Sequence, residues 1–332
     1  MKKFALLVTI IFLSMLVLPL AAVNIKTFSV KNIRDRIDES AEKSGKTVPE
    51  RLPESVKVLA VSSGNIIDVS SADYLVGCVA CEMPATYHRE ALKAQAVAAY
   101  TNLLRLKAHP DEALGGADIS DSPSKHQGFY TVEQQKQKWG DRYEEYSKKI
   151  TEAVNDVLGE AIYYDGQPIV AAYCAICPGR TESAEVIWSS DIPYLQSVPS
   201  PGDTLSPSYS SVLVLSDAQF REAALKEEGV KLSDNADEWV KNTVTSPNGT
   251  GVIVKITLGG KELSGNSFRK LFSLRSPAFK ISHTGGYFTF EVSGYGHCVG
   301  MSQYGADYMA QGGSGYKEIL RHYYQGVEIR KG

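Results

Sequence analysis

The sequence predicts an α+β fold in which helices and antiparallel hairpins are interspersed, with an apolar segment at the N-terminus. Two hairpin signals support this class, because Asp165-Gly166 and Gly259-Gly260 each lie between β-like runs. Residues 89–109 add a helical signal, since their apolar side chains recur at helical spacing. The mixed order of helices and hairpins argues against a regular series of βαβ units. With 332 residues, 43% of them hydrophobic, the chain has ample material for a core.

The N-terminal segment predicts where the chain resides. Residues 4–23 form an apolar run without charge, about 30 Å long as a helix, which is enough to cross a bilayer. Two lysines precede it and favour a cytoplasmic N-terminus with the rest of the chain outside the membrane. We therefore predict a transmembrane signal-anchor over 1–23, a polar stalk over 24–53 and an exported domain over 54–332. A cleaved signal peptide is the alternative, although LPLAAVN is a poor cleavage site.

After the stalk, each element is predicted by a local signal. Ser70, Ser71 and Asp73 are candidate caps of a helix over Tyr74–Cys81, and Pro84 breaks that helix. The many alanines of the next helix predict close packing against another element. The same kinds of signal predict two short strands within 57–70, helices over 89–109 and 141–158, a polar loop over 115–125, hairpins over 161–173 and 251–263, a serine-capped helix over 216–229, and an alternating strand over 287–293.

Charge excludes one large class of function. The chain carries 35 basic and 38 acidic residues, well mixed, for a formal net charge of -3. Such a balance leaves no electrostatic footprint for nucleic acid or for an anionic membrane surface. We therefore predict no nucleic-acid partner.

Glu82 is the first candidate for chemistry. It lies at a corner between two predicted helices, beside Val79, Met83 and Pro84. Apolar surroundings disfavour the charged form of a carboxyl and raise its pKa, and a glutamate that is neutral at physiological pH can act as a general acid. The alternative is a helix-end glutamate that pairs with Lys93 or Arg89.

A glycine-rich segment near the C-terminus is the second candidate. In GYGHCVGMSQYGADYMAQGG, residues 294–313, glycines permit unusual backbone conformations and allow a ligand to approach the main chain. Ser302, Gln303 and Tyr304 offer hydroxyl and amide groups suited to sugar hydroxyls and N-acetyl groups. The alternative is a glycine-rich turn that caps a helix through Ser302.

Together these segments resemble the stage II sporulation protein D family. The resemblance covers about residues 56–330, and several long blocks agree in the family order, so a chance match is very improbable. The matching blocks are DYLVGCVACEMP with LKAQAVAA (73–84 and 92–99), ADI with P and Q (117–127), PIVAAY with TESAEVIW and PYL (168–195), and GHCVGMSQYGA (296–306).

What the resemblance implies is a peptidoglycan lytic transglycosylase with a glycan-binding cleft and no cofactor. Glu82 matches the family's catalytic glutamate, and one acid/base carboxyl suffices for cleavage without water. The family further implies denuded glycan strands as substrate, together with a partner amidase and a polytopic membrane anchor protein during sporulation engulfment. Six residues match motif positions expected to line the glycan groove: Lys93, Gln127, His297, Ser302, Gln303 and Tyr304.

Two departures from the family pattern affect the expectation. Tyr100 stands where relatives commonly have an arginine, so activity or substrate register can differ. Where some relatives frame a metal site, this chain has Ile119-Ser120 and Lys125-His126-Gln127, and serine and lysine replace two potential ligands. We therefore predict no metal site here, and His126 is interpreted as a loop residue.

The five cysteines leave several interpretations open. They stand where relatives usually have small residues, and they would suit buried free thiols, disulfides or, least, a metal site. Two rival functions accompany them: a catalytically inactive peptidoglycan-binding module, and a thiol-disulfide oxidoreductase acting through Cys78 or Cys81. The second needs a thiolate stabilised at a helix N-terminus, whereas Cys81 is predicted near a helix end. The cysteines are Cys78, Cys81, Cys174, Cys177 and Cys298.

Overall fold

The computed structural model of the chain describes residues 53–123 and 125–331. Over these residues the fold is α+β, as the sequence predicts, with mostly antiparallel sheets and irregularly placed helices. The predicted signal-anchor over 1–23 and the predicted stalk, apart from its last residue, lie outside the described residues. Within the described ranges, no helix is long and apolar enough to cross a membrane.

Helices pack around a long central helix. In chain order, those of the described part are α1 (Ser71–Glu82), α2 (Arg89–Ala108), α3 (Val132–Trp139), α4 (Tyr143–Asp156), α5 (Ala184–Trp188), α6 (Asp217–Ala224), α7 (Gly265–Leu271), α8 (Gln303–Gln311) and α9 (Tyr316–Tyr323). α2 contacts α1, α4, α8 and α9. Five of its alanines are buried, which confirms the predicted close packing, because small side chains let helices approach one another.

The strands form several small sheets. They are β1 (Ser55–Ala60), β2 (Asn65–Ser70), β3 (Ile119–Ser120), β4 (Glu160–Tyr164), β5 (Gln167–Pro168), β6 (Tyr173–Cys174), β7 (Ser210–Ser216), β8 (Val240–Thr245), β9 (Ile253–Leu258), β10 (Lys261–Ser264), β11 (Phe279–Thr284), β12 (Tyr287–Ser293), β13 (Met301–Ser302) and β14 (Glu328–Lys331). The sheet orders are β2-β1-β3, β14-β4-β5, β13-β6, β10-β9-β8 and β11-β12-β7.

Both predicted hairpin turns are confirmed. The β4–β5 turn has φ of 48° at Asp165 and 76° at Gly166, and the β9–β10 turn has φ of 52° at Gly259 and 82° at Gly260. Two successive positive φ angles are the requirement of the tight turn whose twist matches the flanking strands. The local sequence is therefore sufficient to specify these two turns.

The helix that carries Glu82 begins and ends at identifiable signals. Its N-cap is Ser70, whose hydroxyl accepts a hydrogen bond from the Asp73 amide at 3.1 Å. The helix starts at Ser71, three residues before the predicted start, because Ser70 alone supplies the cap. It ends at Glu82, one residue after the predicted end and just before Pro84.

Residues 210–293 contribute a further apolar cluster to the core. Sheets β10-β9-β8 and β11-β12-β7 enclose it together with α6 and α7. Its centre is Phe220, whose ring lies 3.9 Å from that of Phe288 between centroids. Phe220 comes from the predicted serine-capped helix, where Ser216 and Gln219 form a capping box. That helix buries one face in the cluster and is shorter than its sequence predicts.

Candidate active site

The Glu82 side chain lies at the C-terminal end of α1 and is partly exposed. Its Oε1 accepts a hydrogen bond from the Gly128 amide at 2.6 Å. The alternative from the sequence is an ion pair between Glu82 and Lys93 or Arg89, and in the structure both basic residues pair with other carboxylates. Lys93 binds Glu90 and Asp156, whereas Arg89 binds residues of α4. Glu82 is therefore held by neutral donors.

Two further polar groups reach Glu82 from distant parts of the chain. The Tyr173 hydroxyl and the Gln303 carboxamide both lie against its carboxyl and favour the carboxylate form. They meet there because β6 and β13 pair in parallel, with Tyr173 opposite Met301 and Cys174 opposite Ser302. This short pairing joins the glycine-rich C-terminal motif to the middle of the chain. The two sequence candidates, Glu82 and residues 294–313, consequently form one site.

Burial decides the protonation of Glu82. Burial raises the pKa of its carboxyl above the usual value, while the donors from Gly128, Tyr173 and Gln303 and the Lys138 ammonium oppose that rise. The net direction is upward, which confirms the direction predicted from the sequence. The hydrogen-bonding groups around the carboxyl are an amide, a phenol and a carboxamide, and the Lys138 ammonium acts through its charge alone. Such a carboxyl retains its proton to higher pH and, after losing it, is stabilised as a carboxylate.

Gly128 is a residue that sequence reasoning missed. A Cβ at this position would lie 2.5 Å from the Cys81 sulfur and 3.1 Å from Glu82 Oε1. Real Cβ contacts are not that short, so a larger residue would displace Glu82 or the 128 backbone. The absence of a side chain is what allows the amide to approach the carboxyl.

Gln127, a predicted glycan contact, is buried behind the site. Its Nε2 donates to the Tyr74 hydroxyl at 3.0 Å and to the Ala99 carbonyl at 3.2 Å. Its Oε1 accepts from Asn102 at 3.3 Å and from the Tyr173 hydroxyl at 3.2 Å. All of its hydrogen-bonding capacity is thus used within the protein. The geometry gives Gln127 the position of a support for Tyr173.

The other predicted groove residues of the C-terminal motif differ in their surroundings. Ser302 is fully buried and caps α8, donating to Asp203 at 2.6 Å and accepting from the Gly305 amide at 3.2 Å. This is the arrangement that the capping alternative predicted. Gln303 lies beside Glu82 and also donates to Gln95 at 3.3 Å. Tyr304 is partly exposed and packs edge-on against the Tyr87 ring.

His297 supports the backbone of Tyr173. Burial lowers the pKa of its imidazole to about 4, so the ring is neutral at physiological pH. Its Nδ1 accepts from the Val299 amide at 3.1 Å, and the ring also hydrogen bonds to the backbone of Tyr173. Trp188 packs against the ring at 5.5 Å between centroids. His297 therefore fixes the chain segment that presents the Tyr173 hydroxyl.

Lys93, also predicted to line the groove, is engaged in ion pairs. Its Nζ lies 2.7 Å from Glu90 Oε1 and 2.9 Å from Asp156 Oδ2. The side chain is only 15% exposed. These contacts fasten α2 to α4, and they leave a glycan contact of Lys93 without geometric support.

A lysine from a helix that the sequence reasoning missed lies close to the carboxyl instead. Lys138, in α3, donates to the Ala80 carbonyl at 3.1 Å and lies over the Tyr130 ring at 4.5 Å. A cation at the C-terminal end of α1 is favourable because the helix dipole places negative charge there. Thr131 and Gln134 form a capping box at the start of α3, and that signal would have predicted the helix.

The glycines of the C-terminal motif allow close packing within the chain, whereas the sequence predicted that they admit a ligand. A Cβ at Gly300 would lie 2.0 Å from the Ala172 carbonyl oxygen, and a Cβ at Gly296 would lie 2.5 Å from the Cys174 Cβ. The space next to these glycines is thus filled by the chain itself. The expectation that a ligand approaches the main chain there is wrong, because segment 172–177 occupies that position.

Comparison with known proteins assigns a family to this fold and site. A family model described as "Stage II sporulation protein" matches residues 62–164. "Stage II sporulation protein D" of Bacillus amyloliquefaciens is 37% identical, over 83% of this chain and 79% of that protein. The protein of the same name from Bacillus subtilis (strain 168) is 34% identical, over 99% of this chain and 96% of its own length. The chain belongs to the stage II sporulation protein D family.

A more distant relative is similar over a smaller share of its own length. The "Amidase enhancer" of Bacillus subtilis (strain 168) is 27% identical, over 77% of this chain and 40% of that protein. The model match over 62–164 includes Glu82, Lys93 and Gln127, whereas the C-terminal motif is included in the full-length alignment with the subtilis relative.

Tyr100, where the resemblance leads us to expect an arginine, lies in the core. It is 1% exposed, and its hydroxyl has no hydrogen-bond partner among the described residues. Burial raises the pKa of the phenol to about 12. The residue contributes an aromatic ring to the packing of α2.

The cysteines form two groups, and all five are free thiols in this structure. Cys78 and Cys81 lie next to Glu82, where burial raises the pKa of Cys81 to about 11 and that of Cys78 well above its usual value. Raised thiol pKa values near a helix C-terminus oppose the oxidoreductase interpretation, which requires a stabilised thiolate. In the described part of the chain, no cluster of three or more His, Cys, Asp or Glu residues is arranged to hold a metal ion.

Proposed function

We propose that this family member is a peptidoglycan lytic transglycosylase that cleaves between N-acetylmuramic acid and N-acetylglucosamine. The observation that carries the proposal is the environment of Glu82. Its carboxyl is partly exposed, its pKa is raised by burial, and three donors surround it. A carboxyl with these properties can deliver a proton and later accept one at the same place.

One carboxyl is enough for the proposed reaction. Glu82 donates its proton to the glycosidic oxygen, and the bond from that oxygen to C1 of the muramic residue breaks. The resulting carboxylate then takes the proton of the C6 hydroxyl of the same residue, while O6 bonds to C1. Glu82 ends protonated, as it began, and no water is consumed.

The neighbours of Glu82 have supporting roles in this proposal. Tyr173 and Gln303 stabilise the carboxylate that exists between the two proton transfers, together with the Gly128 amide. Gln127 and His297 hold Tyr173 in place. Tyr304, which is partly exposed, is the best placed of the predicted groove residues to contact a sugar ring.

The setting of the reaction is proposed on the same basis. We place the domain outside the membrane, facing the cell wall, on an anchor over 1–23 with a cytoplasmic N-terminus. The relatives named for stage II sporulation support a role in sporulation, in which denuded glycan strands are the substrate. A partner amidase that removes stem peptides is consistent with the name of the "Amidase enhancer" relative. A polytopic membrane anchor protein completes the proposed complex.

Product chemistry tests the proposed reaction. The purified full-length chain is incubated with denuded and with intact peptidoglycan in water enriched in oxygen-18, and soluble products are analysed by mass spectrometry. We expect anhydro-muramic ends that contain no heavy oxygen, released chiefly from the denuded strands. Reducing ends labelled with heavy oxygen would indicate a hydrolase instead.

A binding assay on the same samples distinguishes the remaining outcome. If no product is released but the chain still sediments with peptidoglycan, the enzyme proposal fails and a wall-binding module takes its place. The Glu82→Gln variant is the matched control, because it keeps the size of the side chain and removes only the transferable proton.

A further inference from the structure

The second C-x-x-C of the chain brings two thiols into contact. Cys174 lies in β6 and Cys177 in the loop that follows, and their sulfur atoms are 3.3 Å apart. Between them, Ile176 makes a pair of backbone hydrogen bonds with Tyr295, at 3.0 and 2.7 Å. That pairing holds the segment between the two cysteines against Tyr295. The backbone conformation of this segment therefore keeps the Cys174 and Cys177 thiols in contact.

The first C-x-x-C has a different geometry. Cys78 and Cys81 are both in α1, where residues three apart have Cβ atoms about 5–6 Å from each other. A disulfide needs Cβ atoms about 3.5–4.5 Å apart, so a helix must be distorted to form one. The loop containing Cys174 and Cys177 has no such restriction. Only the second motif is suited to a disulfide.

A third thiol and a cation complete the surroundings. Cys298 hydrogen bonds to Cys177 and also donates to the Gly296 carbonyl at 3.9 Å. The partly buried Arg269 guanidinium interacts with the Cys298 and Cys174 thiols. In the folded domain, burial nevertheless raises the pKa of the Cys177 thiol well above its usual value, so attack by a thiolate on an external disulfide belongs to the stage before the core closes.

We propose that Cys174 and Cys177 form a disulfide in the mature protein. This inference rests on the proposed location of the domain outside the cytoplasm, where disulfides persist. A thiolate of one cysteine attacks a small-molecule or protein disulfide, which releases one thiol and leaves a mixed disulfide. The second cysteine then attacks the bound sulfur and releases the second thiol, so two protein thiols are oxidised and one external disulfide is reduced.

The reaction belongs to folding, before the core closes. Cys177 is fully buried and Cys174 is 5% exposed, so the link is protected once the domain has folded. The loop between them is short, which makes this pair quicker to join than Cys177 and Cys298, which are 121 positions apart (298 minus 177). The link fixes the residue that follows Tyr173, and hence the segment that presents a hydroxyl to Glu82.

Peptide mapping tests the disulfide directly. The full-length chain is exported from a producing cell, quenched in acid, alkylated while denatured and digested with trypsin. We expect the peptide over 150–180, which contains both cysteines, to be unalkylated and lighter by two hydrogen atoms than its reduced form. We expect Cys78, Cys81 and Cys298 to be alkylated. An alkylated 150–180 peptide, or that peptide joined to one containing Cys298, would overturn the assignment.

Unfolding with and without a reductant provides an independent readout. The urea midpoint of the wild-type chain should fall when a phosphine reductant is added, because the link constrains the unfolded state. In the Cys174→Ala/Cys177→Ala double variant the midpoint should not respond, whereas Cys298→Ala should retain the wild-type response. A wild-type midpoint that ignores the reductant contradicts the proposal. Neither experiment depends on glycan cleavage, so a failure of the enzyme proposal is recognised separately.

Discussion

Two carboxyl groups of this protein have raised pKa values for the same physical cause, and they differ in what they can do. Burial raises the pKa of Glu82, and it raises that of Asp203 to about 6. Asp203 is fully buried, and its oxygens accept from the Ser302 hydroxyl at 2.6 Å and the Cys177 amide at 3.1 Å. Glu82 is partly exposed. A raised pKa alone therefore does not identify a catalytic acid.

The neighbouring residues Ser302 and Gln303 divide between these two carboxyls. Ser302 donates to Asp203, at the start of α8, where a carboxylate also complements the helix dipole. Gln303, the next residue, donates to the Glu82 carboxyl. Two adjacent residues thus contact two different carboxyls: Asp203, which is structural, and Glu82, the candidate catalytic acid. Substitutions at the two places should separate stability from activity.

Apart from substitutions of Glu82 and Asp203 themselves, the largest loss of activity is expected for Gly128→Ala. The added Cβ would lie 2.5 Å from the Cys81 sulfur and 3.1 Å from Glu82 Oε1, so the carboxyl must move. A displacement of this kind can reduce catalysis by about 100-fold. Gly315→Ala is the matched control, because the nearest atom to its added Cβ is 3.8 Å away. Rates of anhydro-end release measure both, and equal rates would contradict the role of Gly128.

Tyr173→Phe should weaken the support of Glu82 without removing the acid. Loss of the hydroxyl removes a donor that favours the carboxylate, so the pKa of Glu82 should rise further. We expect a loss of about tenfold in rate and a shift of the alkaline limb of the pH–rate profile to higher pH. Tyr324→Phe is the control, since its hydroxyl bonds the Ala172 carbonyl, which also accepts from the Met301 amide. An unshifted alkaline limb would count against the contact with Glu82.

Asp203→Asn should reduce stability rather than chemistry. Asparagine replaces one of the two buried acceptor oxygens with an NH2 donor, which leaves the Ser302 hydroxyl or the Cys177 amide without its acceptor and costs about 1–3 kcal/mol of unfolding free energy. The wild-type group has a folded pKa of about 6, above its usual 3.8. Its protonation therefore contributes stability that is fully present below the lower value and is lost as pH rises through the higher one. Urea unfolding from pH 3 to pH 7 should show this slope in the wild type and a flatter one in the variant.

The smallest effect is expected for Tyr100→Phe. Its buried hydroxyl has no partner among the described residues, so removing it should leave stability unchanged or raise it by up to about 1 kcal/mol. The rate of glycan cleavage should stay within about twofold of the wild type, because the ring remains in the core. Thermal unfolding and product release check both. A large loss of activity would show that this position acts on the site after all.

Local signals in the sequence were sufficient for much of the fold. The caps at Ser70 and Ser216 and the two hairpin turns specify their elements within a few residues, because the contacts that form them are local. The helix α3 was missed although Thr131 and Gln134 mark its start. The association of the two distant motifs could be inferred only from the family resemblance.

The contacts of the site could not be predicted in the same way, because they join distant parts of the chain. Gly128 and Tyr173 reach Glu82 across 46 and 91 positions (128 and 173, each minus 82), and no periodicity reports such contacts. The sequence gives the residue types at Gln127 and Ser302 but not their burial, which assigns them to support and capping. Lys93 fits a motif and still lies in an ion pair with Glu90.

The most direct measurement compares Glu82→Gln with Asp203→Asn in one assay. Initial rates of anhydro-muramic end release from denuded strands are measured per mole of folded protein, with the folded fraction taken from urea unfolding. A general acid contributes about 100- to 10,000-fold, so Glu82→Gln should fall by at least about 100-fold while Asp203→Asn stays near the wild-type rate. Retention of most activity by Glu82→Gln, or its loss in Asp203→Asn alone, would contradict the assignment of Glu82 as the catalytic acid.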